Sequence, residues 1–161
     1  MAEIIFNELG FAFLYVDIKP RHSQTMRSFP YKVDTGANCT TISSKQLIDL
    51  GFDTDWIKSG RLLEGDECPS VASGYHMDDC YTVILPEIHI GDYVGYNWPF
   101  MTSLSASFKF LLGTDTIRFF NWSFDYEHGL CKFSLIPGKR KVLFNSQEQS
   151  IHSIDEIGLH N

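Results

Sequence analysis

Val33-Asp34-Thr35-Gly36-Ala37 puts an acidic side chain on a Thr-Gly turn, directly after an apolar strand predicted over Met26 to Val33. An isolated Asp-Thr-Gly sequence is common in surface turns, where the Asp side chain bonds its own backbone. This one has a counterpart about 75 residues further along the chain, Leu111-Leu112-Gly113, which is an apolar run ending in glycine. The two segments together favour a functional site over an ordinary surface turn.

Both segments resemble motifs of the retropepsin-like aspartic proteases, in the single-lobed form of bacterial members: the active-site loop and the hydrophobic-hydrophobic-glycine segment. By motif order the resemblance covers Phe11 to Ile136. It implies an all-β fold, a closed acid-protease barrel with one or two short helices. Aspartic protease chemistry needs two facing carboxylates, and this chain has one such loop. The resemblance therefore implies a homodimeric aspartic endopeptidase in which each protomer contributes Asp34.

The resemblance gives each motif residue a role. Asp34 is the catalytic residue, and its two copies share one proton because carboxylates about 3 Å apart cannot both ionise cheaply. Thr35 hydrogen-bonds across to the partner loop, and Gly36 lets a backbone N–H approach the carboxylate. Leu112 fills the core beside the loop, while Gly113 packs beneath it, where a side chain would collide.

Ala37 departs from the secreted, acid-acting relatives, which usually have Ser or Thr at this position. A hydroxyl there donates to the carboxylate and lowers its pKa. Because Ala37 has no such donor, we expect the catalytic pair to work nearer neutral pH.

A hairpin near Ser73-Gly74, about 40 residues after Asp34, matches the position of a glycine-containing flap in related bacterial proteins. Flaps of this kind close over substrate and exclude water. The expected substrate is a peptide or protein segment bound as an added strand beneath the flap. Residues 52–68 follow no clear pattern and are not assigned to an element.

The amino-acid composition argues against several other classes of function. The chain has 161 residues, enough for one domain, and its 43% hydrophobic and 20% charged residues are typical of a globular protein. A net charge of −7 disfavours a nucleic-acid partner, which needs clustered Lys and Arg. The six His and four Cys show no metal-ligand spacing, so we expect no metal and no cofactor.

The N-terminal and C-terminal segments bear on the location of the protein and on the limits of its domain. Glu3 and Glu8 stand where a signal peptide would carry positive charge, and the longest N-terminal apolar run, Phe11 to Val16, is too short for a membrane span. We therefore expect a cytoplasmic protein with no membrane partner. The protease domain is expected over residues 1–145, followed by a polar tail over 146–161 in which isoleucines at three-residue spacing indicate a helix.

Periodicity and turn residues predict the remaining elements. Pro30 is compatible with the strand before Asp34 only at an edge or bulge. The predicted strands and helices are Ile4–Phe6, Phe11–Lys19, a helix over Gln46–Leu50 capped by Ser44 and Gly51, a hairpin of Val71–Gly74 with Tyr81–Leu85, Ile88–Ile90, Tyr93–Met101, Phe108–Leu112 buried on both faces, a helix over Asp115–Phe120 capped by Thr114, and a hairpin of Trp122–Tyr126 with Leu130–Ile136.

Two other functions stay open. The domain could be a catalytically silent binding or dimerisation module that keeps the loop for folding, or a monomeric β-barrel in which Asp34 only makes a turn. Asp115 is interpreted as a helix N-terminal residue whose charge suits the helix dipole, and not as a second catalytic carboxylate. Trp122, Phe124 and Tyr126 alternate along one strand face, which we expect to pack in the core.

Overall fold

The structure is a computed structural model that describes residues 10–63 and 79–136, together with the backbone of three short strands outside those ranges. Most of the described elements are strands, as the sequence predicted. In chain order they are β1 (Ile5–Phe6), β2 (Ala12–Ile18), β3 (Arg27–Val33), α1 (Ser44–Asp49), α2 (Thr54–Lys58), β4 (Arg61–Leu62), β5 (Cys80–Ile90), β6 (Tyr93–Ser103), β7 (Leu111–Leu112), α3 (Thr114–Ile117), β8 (Phe120–Asp125), β9 (Leu130–Leu135), β10 (Val142–Phe144) and β11 (Ile151–Ser153).

A seven-stranded sheet forms the body of the molecule. Its order is β4-β5-β2-β3-β7, with β1 paired to β2 and β6 paired to β5. All its pairings are antiparallel except that of β3 with β7, where Lys32 lies opposite Leu111 and Val33 opposite Leu112. This parallel pair brings the two sequence motifs side by side at one end of the sheet.

Residues 40–42 link β7 to β6 through their backbone. The Thr41 N–H donates to the carbonyl of Leu111 at 3.0 Å, and the Met101 N–H donates to the carbonyl of Thr40 at 2.9 Å. Within residues 10–63 and 79–136, no pairing of named strands joins the two ends of the sheet. The closed barrel therefore stays a prediction.

Strand β3 shows why Pro30 fits beside the site. The Lys32 N–H donates to the carbonyl of Phe110, so it points away from β2 and toward β7. Backbone groups alternate sides along a strand, so the nitrogen of Pro30 faces the same way as that of Lys32. The pairing with β7 begins only at Lys32. Pro30 therefore lies at an open edge and removes no ladder hydrogen bond, as the sequence required.

The long hairpin of β5 and β6 turns at Gly91, whose φ of +59° is in the left-handed region. The sequence predicted separate strands on either side of Pro86, whereas the structure has one continuous strand. The ladder passes from Leu85–Trp98 to Glu87–Tyr96, so Pro86 is left out of it. An unpaired position lets a proline remain within a strand.

Helix α1 begins two residues earlier than predicted, and its cap lies one residue earlier. The side chain of Ser43, not Ser44, accepts a hydrogen bond from the Gln46 N–H at 3.2 Å. The helix ends before Gly51, whose φ is +92°, and Leu47 is fully buried against the sheet. The predicted helix and its glycine stop are confirmed.

Helix α2 was not predicted, although its start has a recognisable signal. Asp53 caps it by accepting a hydrogen bond from the Trp56 N–H at 2.8 Å. Ile57 is buried, and Trp56 packs on Phe52 with ring centroids 4.3 Å apart. An aspartate that accepts a hydrogen bond from the N–H three residues on is the pattern of a capped helix start.

The segment around β7 differs from its prediction. Only Leu111–Leu112 is a strand, and the carbonyl of Lys109 accepts a hydrogen bond from the Thr41 hydroxyl at 2.6 Å. Helix α3 is one turn long, starts directly after Gly113 and lacks a side-chain cap. The predicted cap at Thr114 and the longer helix were therefore wrong.

Strands β8 and β9 form a separate two-stranded sheet. Trp122 and Phe124 stack with ring planes 5° apart, and Tyr126 continues the stack. Phe124 is 39% exposed and Tyr126 is 67% exposed, so the expectation that this face packs in the core was wrong beyond Trp122. The exposed rings of Phe124 and Tyr126 stack on one another instead.

Strands β10 and β11 pair antiparallel. Ile151–Ser153 is therefore extended where the isoleucine spacing indicated a helix. β-branched isoleucine suits an extended chain. No helix within the part of the chain that the structure describes is long and apolar enough to cross a membrane.

Candidate active site

Strand β3 sets the direction of the Asp34 side chain. Phe29 and Tyr31 are buried, and Val33 packs against the same core. Because side chains alternate faces along a strand, Lys32 and Asp34 point to the opposite side. The Asp34 N–H donates to the carbonyl of Leu112 at 3.0 Å, which continues the pairing of β3 with β7. The Asp34 side chain is 28% exposed at this strand end.

The loop after β3 folds back on the carboxylate. The Gly36 N–H donates to Asp34 Oδ1 at 2.9 Å, and the Ala37 N–H donates to the Asp34 carbonyl at 3.1 Å. A side chain at position 36 would begin 3.2 Å from Asp34 Oδ1, which is tight. Thr35 and Gly36 are exposed on the protomer, and Ala37 is half-buried. One carboxylate oxygen is thus held by a backbone donor.

Gly113 supports this loop from below. A β-carbon added to it would lie 2.5 Å from the carbonyl carbon of Cys39 and 2.6 Å from its oxygen. The Thr114 N–H also donates to the carbonyl of Ala37 at 2.8 Å. Leu112, one residue earlier, is buried in the core as the resemblance implied. The two motifs are therefore packed backbone to backbone.

Thr40 and Asp115 connect the end of the loop to α3, and sequence reasoning missed this contact. Asp115 accepts from the Thr40 hydroxyl at 2.7 Å and from the Thr40 N–H at 3.1 Å. The Gly113 N–H donates to the Thr40 hydroxyl at 3.1 Å. Trp98 donates from its indole to the Thr116 hydroxyl, which lies 2.8 Å from that of Thr40. A polar network thus runs from the core to the loop.

This geometry bears on the role of Asp115. Both of its carboxylate oxygens bind Thr40, so they are used within the protomer. Its place in the first turn of α3 agrees with the structural interpretation made from the sequence.

Lys32 is the second charged group beside Asp34, and the sequence analysis did not single it out. Its ammonium lies 4.0 Å from Asp34 Oδ2 and 3.8 Å from the centroid of the Phe11 ring. The sequence could have indicated this contact, because Lys32 and Asp34 are two positions apart and such residues share one face of a strand.

Ser73 and Gly74, the predicted flap, lie outside the described residues. They fall between β4 and β5, which pair antiparallel through Leu62 and Tyr81. Among the described residues, no group of three or more His, Cys, Asp or Glu is arranged to hold a metal ion.

No protein-family model and no curated protein matches this chain. Among solved structures, it is similar to the crystal structure of a retropepsin-like aspartic protease from Rickettsia conorii, with a TM-score of 0.52 and 19% sequence identity. The match covers 76% of this chain and 82% of that chain. Similarity at this identity concerns the fold alone, and it shows that this chain has a retropepsin-like fold.

Proposed function

We propose that this protein is an aspartic endopeptidase that works as a homodimer, with Asp34 of each protomer forming the catalytic pair. The observation that carries the proposal is the setting of Asp34, a partly exposed carboxylate at a strand end with the Gly36 N–H on one oxygen. The retropepsin-like fold supports the same assignment. The sequence holds one Asp-Thr-Gly loop, and this chemistry needs two carboxylates, so a second copy must supply the other.

In the proposed reaction a water molecule lies between the two Asp34 carboxylates. The ionised carboxylate takes a proton from the water as its oxygen attacks the peptide carbonyl carbon, and the protonated carboxyl polarises the carbonyl oxygen. The roles then reverse, and a proton passes to the departing amine. The exposure of Thr35 and Gly36 on the protomer supports a role for this loop in facing its counterpart.

The substrate we propose is an extended peptide that binds as an added strand, with the segment around Ser73 and Gly74 acting as the flap. Ala37 supplies no hydroxyl to the carboxylate, so we expect activity at about pH 5–7, above the range of acid-acting relatives. A near-neutral optimum suits the cytoplasm, which is the location that we propose.

The test combines assembly with activity. The wild-type protein should sediment as a dimer and cleave an unfolded protein at about pH 5–7, and pepstatin-like transition-state mimics should block the cleavage. Asp34→Asn should lower kcat/KM by at least about a thousandfold, because the pair loses its ionisable group. Asp49→Asn removes an exposed carboxylate from the end of α1 and serves as the matched control with full activity.

Three results would contradict the proposal. One is a monomer at micromolar concentration that does not associate when peptide is added. Another is an Asp34→Asn variant that cleaves as well as the wild type. The third is a dimer that binds peptide without cleaving it, which would favour the silent binding module.

A further inference from the structure

We propose that Lys32 selects substrates with an acidic side chain next to the cleaved peptide bond. The inference rests on the proposed function, since it assigns substrate recognition to a cation beside Asp34. Its basis is the position of the Lys32 ammonium, 4.0 Å from Asp34 Oδ2 and on the same strand face. A group this close to the reacting carboxylate faces the residues on either side of the bond being cleaved.

The Lys32 ammonium lies beside Asp34 without donating a hydrogen bond to it. A separation of 4.0 Å from Asp34 Oδ2 is an ion pair but too long for a hydrogen bond. The Lys32 side chain is 28% exposed, so part of it is in contact with solvent. The ammonium carries three N–H donors that can turn toward an incoming acceptor.

Phe11 gives the same place an apolar wall. Its ring lies 3.8 Å from the Lys32 ammonium, and the residue is 42% exposed. A ring face fixes the ammonium through cation–π attraction and leaves apolar surface beside it. A side chain with methylene groups and a terminal carboxylate, such as glutamate, matches both features: the methylenes pack on Phe11 and the carboxylate meets Lys32.

The charge count in the proposed dimer also favours an acidic substrate. Two Asp34 carboxylates that share one proton carry a single negative charge, while two Lys32 ammonium groups carry two positive charges. These four groups alone therefore have a net positive charge. Each Asp34 has its own Lys32 at the same distance, so an ammonium stands on either side of the catalytic pair. A substrate carboxylate neutralises the excess.

The experiment uses peptides that are identical except for Glu, Gln or Lys at the residues flanking the cleaved bond. The wild-type protein should favour the Glu peptide over the Gln peptide by about tenfold in kcat/KM, as expected for a charge-assisted hydrogen bond. Lys32→Met keeps the stem and should bring this ratio close to one, whereas Lys32→Arg should retain it. Lys32→Glu should favour the Lys peptide, and added salt should weaken the wild-type preference. Lys45→Met, on the exposed side of α1, is the control that keeps the wild-type ratio.

A binding measurement separates this inference from the proposed function. Asp34→Asn, with and without Lys32→Met, is titrated with labelled Glu and Gln peptides, and anisotropy gives the dissociation constants. Cleavage with a Glu-to-Gln ratio near one overturns the role of Lys32 and leaves the protease proposal intact. If neither peptide is cleaved but the Glu peptide binds more tightly in a way that depends on Lys32, the role of Lys32 in recognition is supported and the protease proposal is overturned. A Lys32→Met variant that alters only the pH–rate profile also overturns the inference, because the ammonium would then act on Asp34 alone.

Discussion

Gly113 shows how much of the site depends on the absence of one methyl group. A β-carbon on residue 113 would overlap the backbone of Cys39. The active-site loop can therefore lie this close to the start of α3 only because residue 113 is glycine. The hydrogen bonds from Gly113 to Thr40 and from Thr114 to Ala37 form because of this approach. The position of Asp34 is therefore tied to a residue far away in the chain.

We predict that Gly113→Ala destabilises the protein by about 3 kcal/mol, because neither backbone segment can move without breaking these bonds. Urea unfolding gives the free energy, and peptide cleavage should fall with it. Gly129→Ala is the control: its φ of +62° is unfavourable for alanine, but nothing lies within 4 Å of the added carbon. It should cost about 1 kcal/mol. Equal losses for the two variants would show that Gly113 is not sterically constrained.

The residues of the two motifs could be identified from the sequence, while their partners could not. Asp34 and Gly113 belong to short contiguous patterns. The hydrogen bonds between Thr40 and Asp115 join residues 75 positions apart, and no local pattern specifies such a pair. Lys32 lay on the predicted strand, but its role depends on the ring of Phe11, which only the pairing of β2 with β3 brings near.

At the scale of elements, β3 does two things at once, since one face fills the core and the other carries the site. Tyr31 on the core face is fully buried, and its hydroxyl donates to the carbonyl of Thr41 at 2.7 Å. Its ring packs on those of Phe100 and Phe110. This contact fixes the segment after the active-site loop to the strand before it.

We predict that Tyr31→Phe costs about 1 kcal/mol at pH 7, because the ring packing stays and one buried hydrogen bond is lost. Burial raises the pKa of Tyr31 well above its usual value. The neutral hydroxyl therefore contributes its full stability below the unfolded pKa of about 10, and the contribution falls as pH rises above it, by about 1.4 kcal/mol per unit until the folded pKa is reached.

Unfolding of both proteins in urea at pH 7 and at about pH 11 measures this effect. The difference between wild type and Tyr31→Phe should shrink or reverse at the higher pH, since the other tyrosines are common to both. A difference that is the same at both pH values would mean that Tyr31 titrates normally in the folded protein.

Strands were easier to predict than helices, for a physical reason. Burial of alternate residues leaves a clear pattern along β2 and β3. Helices α2 and α3 have five and four residues, too short for a helical period to be visible. Their positions depend on capping at Asp53 and on the packing of Gly113.

At the scale of the whole molecule, one chain supplies only half of the catalytic site that we propose. The resemblance implied an all-β fold, periodicity and turn residues predicted its individual strands, and the retropepsin-like neighbour agrees with a mostly-β chain. The association of two chains leaves no periodic signal in one of them. The homodimer was therefore inferred from chemistry, since one Asp-Thr-Gly loop cannot supply two facing carboxylates.

Mixing protomers tests this inference directly. Wild type and Asp34→Asn are mixed in equal amounts, unfolded together in urea and refolded at constant total protein, so that the protomers pair at random. If each dimer needs two carboxylates, random pairing leaves about one quarter of the wild-type activity, because one dimer in four has both. An enzyme complete within one chain would keep one half. Refolding wild type together with Asp49→Asn, which alters an exposed residue of α1, should recover full activity and exclude an effect of the refolding itself. A value of one half would place the second catalytic group inside the same protomer, and the dimeric mechanism would have to be abandoned.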